Sequence, residues 1–114
     1  MDSKGRIEVA PEVIVAIAHQ VTIKVEGVSR MGSAPTGIFR RNSTKADGIQ
    51  VHYEADKLVF DIHVLLTAGV NLPQTSKAIQ AAIIESMDQM VGVPVEAVNI
   101  HVDDVAYTNN SVEN

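Results

Sequence analysis

Apolar residues recur along this chain with two different periods, and the change of period marks the predicted elements. Residues 6–9 alternate between apolar and charged, which predicts a short half-buried strand. Over residues 14–28 the apolar positions follow helical spacing, with Pro11 suited to the first turn of the helix and Gly27 to its end. This apolar stripe is unusually wide, so we expect the helix to be buried on more than one side.

A β-hairpin is predicted over the middle of the chain. Residues 49–54 and 58–66 both alternate with a period of two. A turn centred between residues 56 and 57 pairs Tyr53 with Phe60. A register in which the paired numbers sum to two more or two fewer keeps every side chain on the same face.

A second helix and a last strand follow the hairpin. Asn71 is a suitable N-cap, Pro73 fits the first turn, and Gly92 is a suitable terminator. The strand is predicted over residues 98–103, after Glu96, where apolar and polar positions alternate again. The apolar stripe of the second helix consists of Leu72, Ile79, Ile83, Met87 and Met90.

The predicted order is strand, helix, loop or short strand, two strands, helix, strand. Both helical stripes are buried if the helices lie on one face of the sheet and the other face stays open. We therefore expect an α+β fold, a two-layer α/β sandwich with a mixed or antiparallel sheet. We expect one domain over residues 1–107, with a mobile basic loop at residues 29–48 and a polar tail at residues 108–114.

The alternation places polar side chains together on the sheet face opposite the helices, called here the polar sheet face. Three of the four histidines and several carboxylates share it, and these groups can bind zinc or act in acid–base chemistry near neutral pH. The opposing interpretation is a partner-binding surface, which the pattern favours over a metal site. The predicted members of the polar sheet face are Gln50, His52, Glu54, Asp61, His63, Asn99, His101 and Asp103. The metal alternative rests on His52, Asp61, His63, His101 and Asp103.

The loop carries an uneven share of the charge. The whole chain has a formal net charge of −5, yet Arg30, Arg40, Arg41 and Lys45 face a single acid, Asp47, within residues 29–48. These four basic residues, with His52, His63 and His101, are the candidate partner-binding residues. The acidic balance and the scarcity of aromatic residues argue against nucleic acid as the partner.

Composition excludes several other functions. The chain has no cysteine, so it holds no disulfide and no thiolate metal site. No apolar run approaches the ~20 residues of a membrane span, and no signal-peptide pattern opens the chain. We expect a cytoplasmic protein without direct membrane insertion. Phosphate-binding glycine loops and nucleophile motifs are also missing, so the residues by themselves indicate no cofactor and no catalytic set.

Several segments in order resemble the alkaline shock protein family, also called the Asp/Gls family. The similar segments are residues 5–13, Glu26-Gly27-Val28, residues 48–51, residues 58–66 and residues 71–102. No single motif is diagnostic, but their order and spacing together are specific. This chain departs from the family pattern in the 30–47 loop and at Asp103-Asp104.

The resemblance implies a non-enzymatic role. Members of that family are abundant cytoplasmic bacterial proteins linked to envelope or alkaline stress. Some lie under the membrane through a membrane-anchored partner and assemble with themselves, whereas others are linked to regulation of acetyl-CoA carboxylase. The chain is therefore expected to be a homo-oligomeric scaffold in envelope homeostasis. The alternatives are a regulator that contacts a metabolic enzyme and a His/Asp metal-binding module.

Overall fold

The computed structural model describes residues 5–33 and 44–107, and the predicted α+β sandwich is confirmed there. Both helices pack on one face of a five-stranded sheet and share one apolar core with it. The elements are α1 (Pro11–Ile23), β1 (Val28–Met31), β2 (Thr44–Ala46), β3 (Ile49–Glu54), β4 (Lys57–Thr67), α2 (Leu72–Ser86), a π-helical turn (Met87–Val91) and β5 (Val95–Ala106).

The central strand of the sheet is β4. β5 runs parallel to β4 along almost its whole length, from Leu58 to Thr67. The opposite edge of β4 is therefore shared by two shorter antiparallel strands, β3 beside its first half and β1 beside its second. β2 extends the sheet by pairing with β3. The sheet is mixed, as one of the two predicted alternatives required.

The first strand predicted from the sequence is wrong. Residues 6–9 form no regular element and do not join the sheet, and Ile7 is 94% exposed. Only Val9 of this segment packs against the core. Alternation over four residues is therefore not sufficient to predict a strand here.

The apolar stripe that predicts one long helix belongs to two elements. α1 ends at Ile23, and a turn through Gly27, with φ +101°, leads directly into β1. β1 is the short strand expected as an alternative at the start of the loop. The aliphatic residues at 25 and 28 contact the core after the helix has ended, so helical spacing alone overestimated its length.

The hairpin is confirmed, but Tyr53 pairs with a residue two positions earlier in β4 than in the register considered first. Tyr53 pairs with Leu58, and Ala55 and Asp56 form the turn with φ values of 50° and 69°. Both residues occupy the left-handed region that a two-residue hairpin turn with matching twist requires. The shift preserves the faces of all the side chains, as expected.

A second hairpin, β2–β3, was missed within the predicted loop. Its turn is Asp47-Gly48, with φ values of 45° and 81°. An Asp-Gly pair immediately before an alternating strand is among the strongest local hairpin signals. The sequence therefore contained the information for β2, although only three residues precede the turn in that strand.

The predicted boundaries of the second helical segment are confirmed at both ends. The Asn71 side chain accepts a hydrogen bond from the Gln74 amide at 2.8 Å, and Gly92 ends the segment with φ +78°. Met90, predicted to be in the core, is 65% exposed. The π-helical turn explains this, because its i→i+5 bond from Gly92 to Met87 widens the turn and rotates Met90 away from the buried stripe.

The core is aliphatic and lies between the sheet and the two helices. Each layer contributes fully buried side chains, among them Ile14 and Ala18 from α1, Phe60 and Ile62 from β4, and Ile79 and Ile83 from α2. In the part of the chain that the structure describes, neither helix is long and apolar enough to cross a bilayer.

Candidate functional site

The polar sheet face forms where the alternation predicted it. Parallel pairing of β4 with β5 sets His63 directly beside His101, and Asp61 beside Asn99. The sequence could not determine this neighbour relation, because it depends on strand order. Cross-strand pairing rather than sequence proximity therefore builds the cluster of Asp61, His63, His101 and Asp103, called here the His–Asp cluster.

The two imidazole rings of the cluster are stacked. The ring centroids of His63 and His101 lie 4.4 Å apart with an interplanar angle of 11°. His63 Nδ1 lies 3.0 Å from Asp103 Oδ1, and His101 Nε2 lies 3.0 Å from Asp61 Oδ1. Asn99 also donates to Asp61 Oδ1 at 3.2 Å. Each imidazole therefore has its own carboxylate partner within the same sheet.

Asp103 reaches His63 because β5 has an irregularity at this point. Val102 pairs with Val64 and Asp104 with Leu65, so Asp103 is the extra residue of a bulge. Bulges change the direction of a side chain, and here the carboxylate lies over β4. One of the two acids that depart from the family pattern thus has a defined contact in this fold.

The backbone around His63 is held by two glycines. The Gly32 amide donates to the His63 carbonyl at 2.7 Å, and the His63 amide donates to the Gly48 carbonyl at 2.8 Å. A Cβ on Gly48 would lie 2.5 Å from the Gly32 carbonyl oxygen. A Cβ on Gly32 would lie 2.5 Å from Asp103 Oδ2. This junction admits no larger residue without a shift of the backbone or of Asp103.

The polar sheet face is not uniformly open, which corrects the expectation. His52 and His63 are only 5% and 8% exposed, whereas the His101 side chain is 44% exposed. Gln50 and Val59 on the same face are also buried. Alternation identifies which face a side chain occupies, but it does not determine how much solvent reaches that face.

His52 lies apart from the His–Asp cluster. It pairs with Val59, four residues before His63 on β4, which corresponds to about 13 Å along the strand. Its Nε2 lies 3.3 Å from Glu54 Oε2, and no described residue forms a hydrogen bond with its buried Nδ1. The three histidines therefore share a face without converging on one point.

The arrangement does not favour the metal alternative. Within residues 5–33 and 44–107, no group of three or more His, Cys, Asp or Glu side chains could hold a metal ion. The paired nitrogens of His63 and His101 are directed to separate carboxylates. A metal site needs ligands that converge on one ion, and these side chains satisfy one another instead.

The predicted basic residues are only partly placed. Arg30 pairs with Leu65 and Lys45 with Gln50, so both belong to the same side of the sheet as the histidines. Both are exposed. Arg40 and Arg41 lie outside the described residues, and their role as partner-binding residues stays a prediction.

The sequence interpretation missed an apolar surface on α1. The buried side of α1 consists of Ile14, Val15, Ala18 and Thr22. A shallow groove lies on another side of the helix, bordered by Glu12 and by Met90 of the π-helical turn. We call the residues of α1 and its C-cap that line the groove the outer stripe: Val13, Ala16, Ile17, Gln20, Val21 and Lys24. The unusual width of the apolar pattern was its signal in the sequence.

Comparison with known protein families identifies relatives over most of the chain. The model of the alkaline shock protein 23 family, described as having a cell envelope-related function, matches residues 1–107. Uncharacterized protein YqhY of Bacillus subtilis is 29% identical over 112 residues, which is 96% of this chain and 83% of YqhY. Uncharacterized protein Spy1535 of Streptococcus pyogenes is 31% identical over 102 residues, 89% of this chain and 79% of Spy1535.

Similar folds occur among solved structures. A manganese form of the MamM CTD has a TM-score of 0.58 at 13% identity and covers 83% of this chain and 99% of that domain. A zinc form has a TM-score of 0.57 at 11% identity and covers 88% of each chain. At such low identity the likeness concerns the fold alone.

Proposed function

The chain belongs to the alkaline shock protein 23 family, whose function is related to the cell envelope, and on that premise we propose that it is a non-enzymatic scaffold that binds a partner protein. In this proposal the chain is cytoplasmic and reaches the membrane through an anchored partner. The alternative in which it regulates a metabolic enzyme such as acetyl-CoA carboxylase differs only in the partner.

The observation that carries the proposal is the exposed outer stripe of α1. Val13 is 48% exposed and the bordering Met90 is 65% exposed, although both side chains are apolar. Exposed apolar side chains that line one groove, with charged residues at its rim, are typical of protein-interaction surfaces. Val13 and Met90 line the same groove, whereas Ile17 and Val21 of the stripe are half-buried and also pack against the core.

The His–Asp cluster can be explained without an enzymatic role. One nitrogen of each imidazole lies 3.0 Å from a carboxylate oxygen. The two rings stack on each other, and His63 is only 8% exposed. These contacts resemble the cross-strand pairs that stabilise a sheet.

Complementation tests the proposal directly. Cells that lack the gene are expected to be sensitive to envelope stress, and three variants separate the two candidate surfaces. Asp61→Asn and His101→Gln alter the exposed half of the His–Asp cluster, whereas Ala16→Arg places a large charged side chain in the outer stripe. We expect the first two to restore resistance and Ala16→Arg to fail. Ala81→Arg, on the exposed side of α2, is the matched control and should restore it.

The opposite pattern would overturn the proposal. If Ala16→Arg complements fully while His101→Gln fails at equal protein level, the polar sheet face carries the function. Affinity purification of the wild-type chain then separates the two kinds of partner. A membrane-anchored protein favours the scaffold, and a carboxylase subunit favours the regulator. Stoichiometric metal in the native protein would instead favour the metal-binding module.

A further inference from the structure

We propose that the outer stripe of α1 binds the same stripe of a second copy of this chain, with the two helices antiparallel about a two-fold axis. This inference rests on the proposed partner-binding function and names one partner for that surface. It follows from three features of the stripe: its shape, the symmetry of its positions, and its charges.

The stripe has the geometry of a helix–helix contact. Val13, Ile17, Gln20 and Lys24 follow spacings of four, three and four residues, which keep side chains on one side of a helix. The 13 residues of α1 span about 20 Å. Met90 adds a flexible apolar side chain beside this row, and methionine adapts well to a packed partner.

The positions of the stripe are symmetric about a point between residues 18 and 19. An antiparallel pairing about that point sets Val13 against Lys24, Ala16 against Val21 and Ile17 against Gln20, and each contact occurs twice. A two-fold interface requires such self-complementarity, because residue i must contact j while j contacts i. Every member of the outer stripe thus has a partner in the stripe of the second copy.

The charges select the antiparallel orientation. Glu12 lies at the beginning of the groove and Lys24 at its end, and neither forms an ion pair with a described residue. Antiparallel pairing brings Glu12 of each copy beside Lys24 of the other, whereas parallel pairing would set like charges together. The two helix dipoles also oppose each other favourably in the antiparallel arrangement.

The interface is small, and this determines how the dimer should behave. A single helix pair of this length belongs with contacts below the standard size of about 1,600 Å² of total buried surface, which form weak complexes. We therefore expect a reversible dimer whose fraction rises with protein concentration, not a permanent one. Screening of the Glu12–Lys24 pairs should weaken it further as salt increases.

Sedimentation velocity of the full chain over a range of concentrations tests the dimer. The wild type should show a reversible monomer–dimer equilibrium. Ala16→Arg places a long charged side chain against Val21 of the second copy and should leave the chain monomeric over the same range. Ala81→Arg introduces the same side chain at an exposed alanine of α2 and should leave the equilibrium unchanged.

Charge reversal tests the antiparallel pairing itself. Glu12→Lys and Lys24→Glu should each weaken dimerisation about threefold to tenfold, since each change converts two attractive pairs into repulsive ones. The double variant Glu12→Lys with Lys24→Glu should recover wild-type dimerisation. No recovery in the double variant, or equal behaviour of Ala16→Arg and Ala81→Arg, would overturn the assignment.

The dimer and the proposed function can fail separately. A strictly monomeric wild type refutes the dimer, yet the scaffold stands if Ala16→Arg still fails to complement. A dimer that dissociates in Ala16→Arg without any loss of envelope-stress resistance supports the interface and refutes its role in the proposed function.

Discussion

The polar sheet face and the outer stripe of α1 both differ from what their residue types suggest, but in opposite directions. The His–Asp cluster has the residue types of a reactive site, yet its members are paired with one another at 3.0 Å. The outer stripe contains ordinary aliphatic residues, yet Val13 remains 48% exposed. Residue types that suggest chemistry can thus form structural pairs, and an apolar helix can leave aliphatic side chains exposed on one side.

The largest change in stability is expected at the junction of Gly32 and Gly48 beside His63, which holds the backbone of the polar sheet face. Gly48→Ala combines a left-handed residue with a Cβ 2.5 Å from the Gly32 carbonyl oxygen, and should lower the free energy of unfolding by about 3 kcal/mol. Urea unfolding followed by circular dichroism measures it.

Gly92→Ala is the matched control for that measurement. Gly92 has a similar φ of +78°, but no atom lies within 4 Å of the position that a Cβ would occupy, so only the backbone cost of about 1 kcal/mol applies. Equal losses in the two variants would show that the close approach at the junction contributes nothing.

A smaller change in stability should distinguish the His63–Asp103 pair from the His101–Asp61 pair. Asp103→Ala removes the partner of His63, whose side chain is 10% exposed, and should cost about 1–2 kcal/mol. Asp61→Ala removes the partner of His101, which is 44% exposed, and should cost about 0.5 kcal/mol or less. Thermal and urea unfolding of both variants check this difference. A larger loss in Asp61→Ala would contradict the structural role assigned to the buried pair.

The smallest change in stability is expected at Met90, which borders the groove beside the outer stripe. Met90→Ser should alter the free energy of unfolding by less than about 0.5 kcal/mol, because Met90 is 65% exposed. The same variant should weaken self-association in sedimentation. Ile84→Ser on α2 is the control, since Ile84 is 49% exposed but does not line the groove. A marked loss of stability in Met90→Ser would show that this side chain serves the fold and not a partner.

Individual positions show how far local patterns reach in this protein. Asn71 and Gly92 were identified as helix limits because capping depends on residues next to one another in sequence. Met90 was misplaced because a π-helical turn interrupts the helical period. Residues 6–9 were wrongly predicted as a strand because a segment becomes a strand only where a neighbouring strand has free hydrogen-bonding groups.

The sequence by itself determined the α+β class, the two helices, the β3–β4 hairpin and the faces of the alternating residues in β3, β4 and β5. These features follow from periodicity and caps, which act over a few residues. Only the tertiary structure decided that His63 stacks on His101, that Asp103 lies in a bulge, and that one side of α1 borders a groove within the described residues. Each of these depends on which strands and helices are neighbours, and contacts between residues 40 positions apart leave no local pattern in the chain.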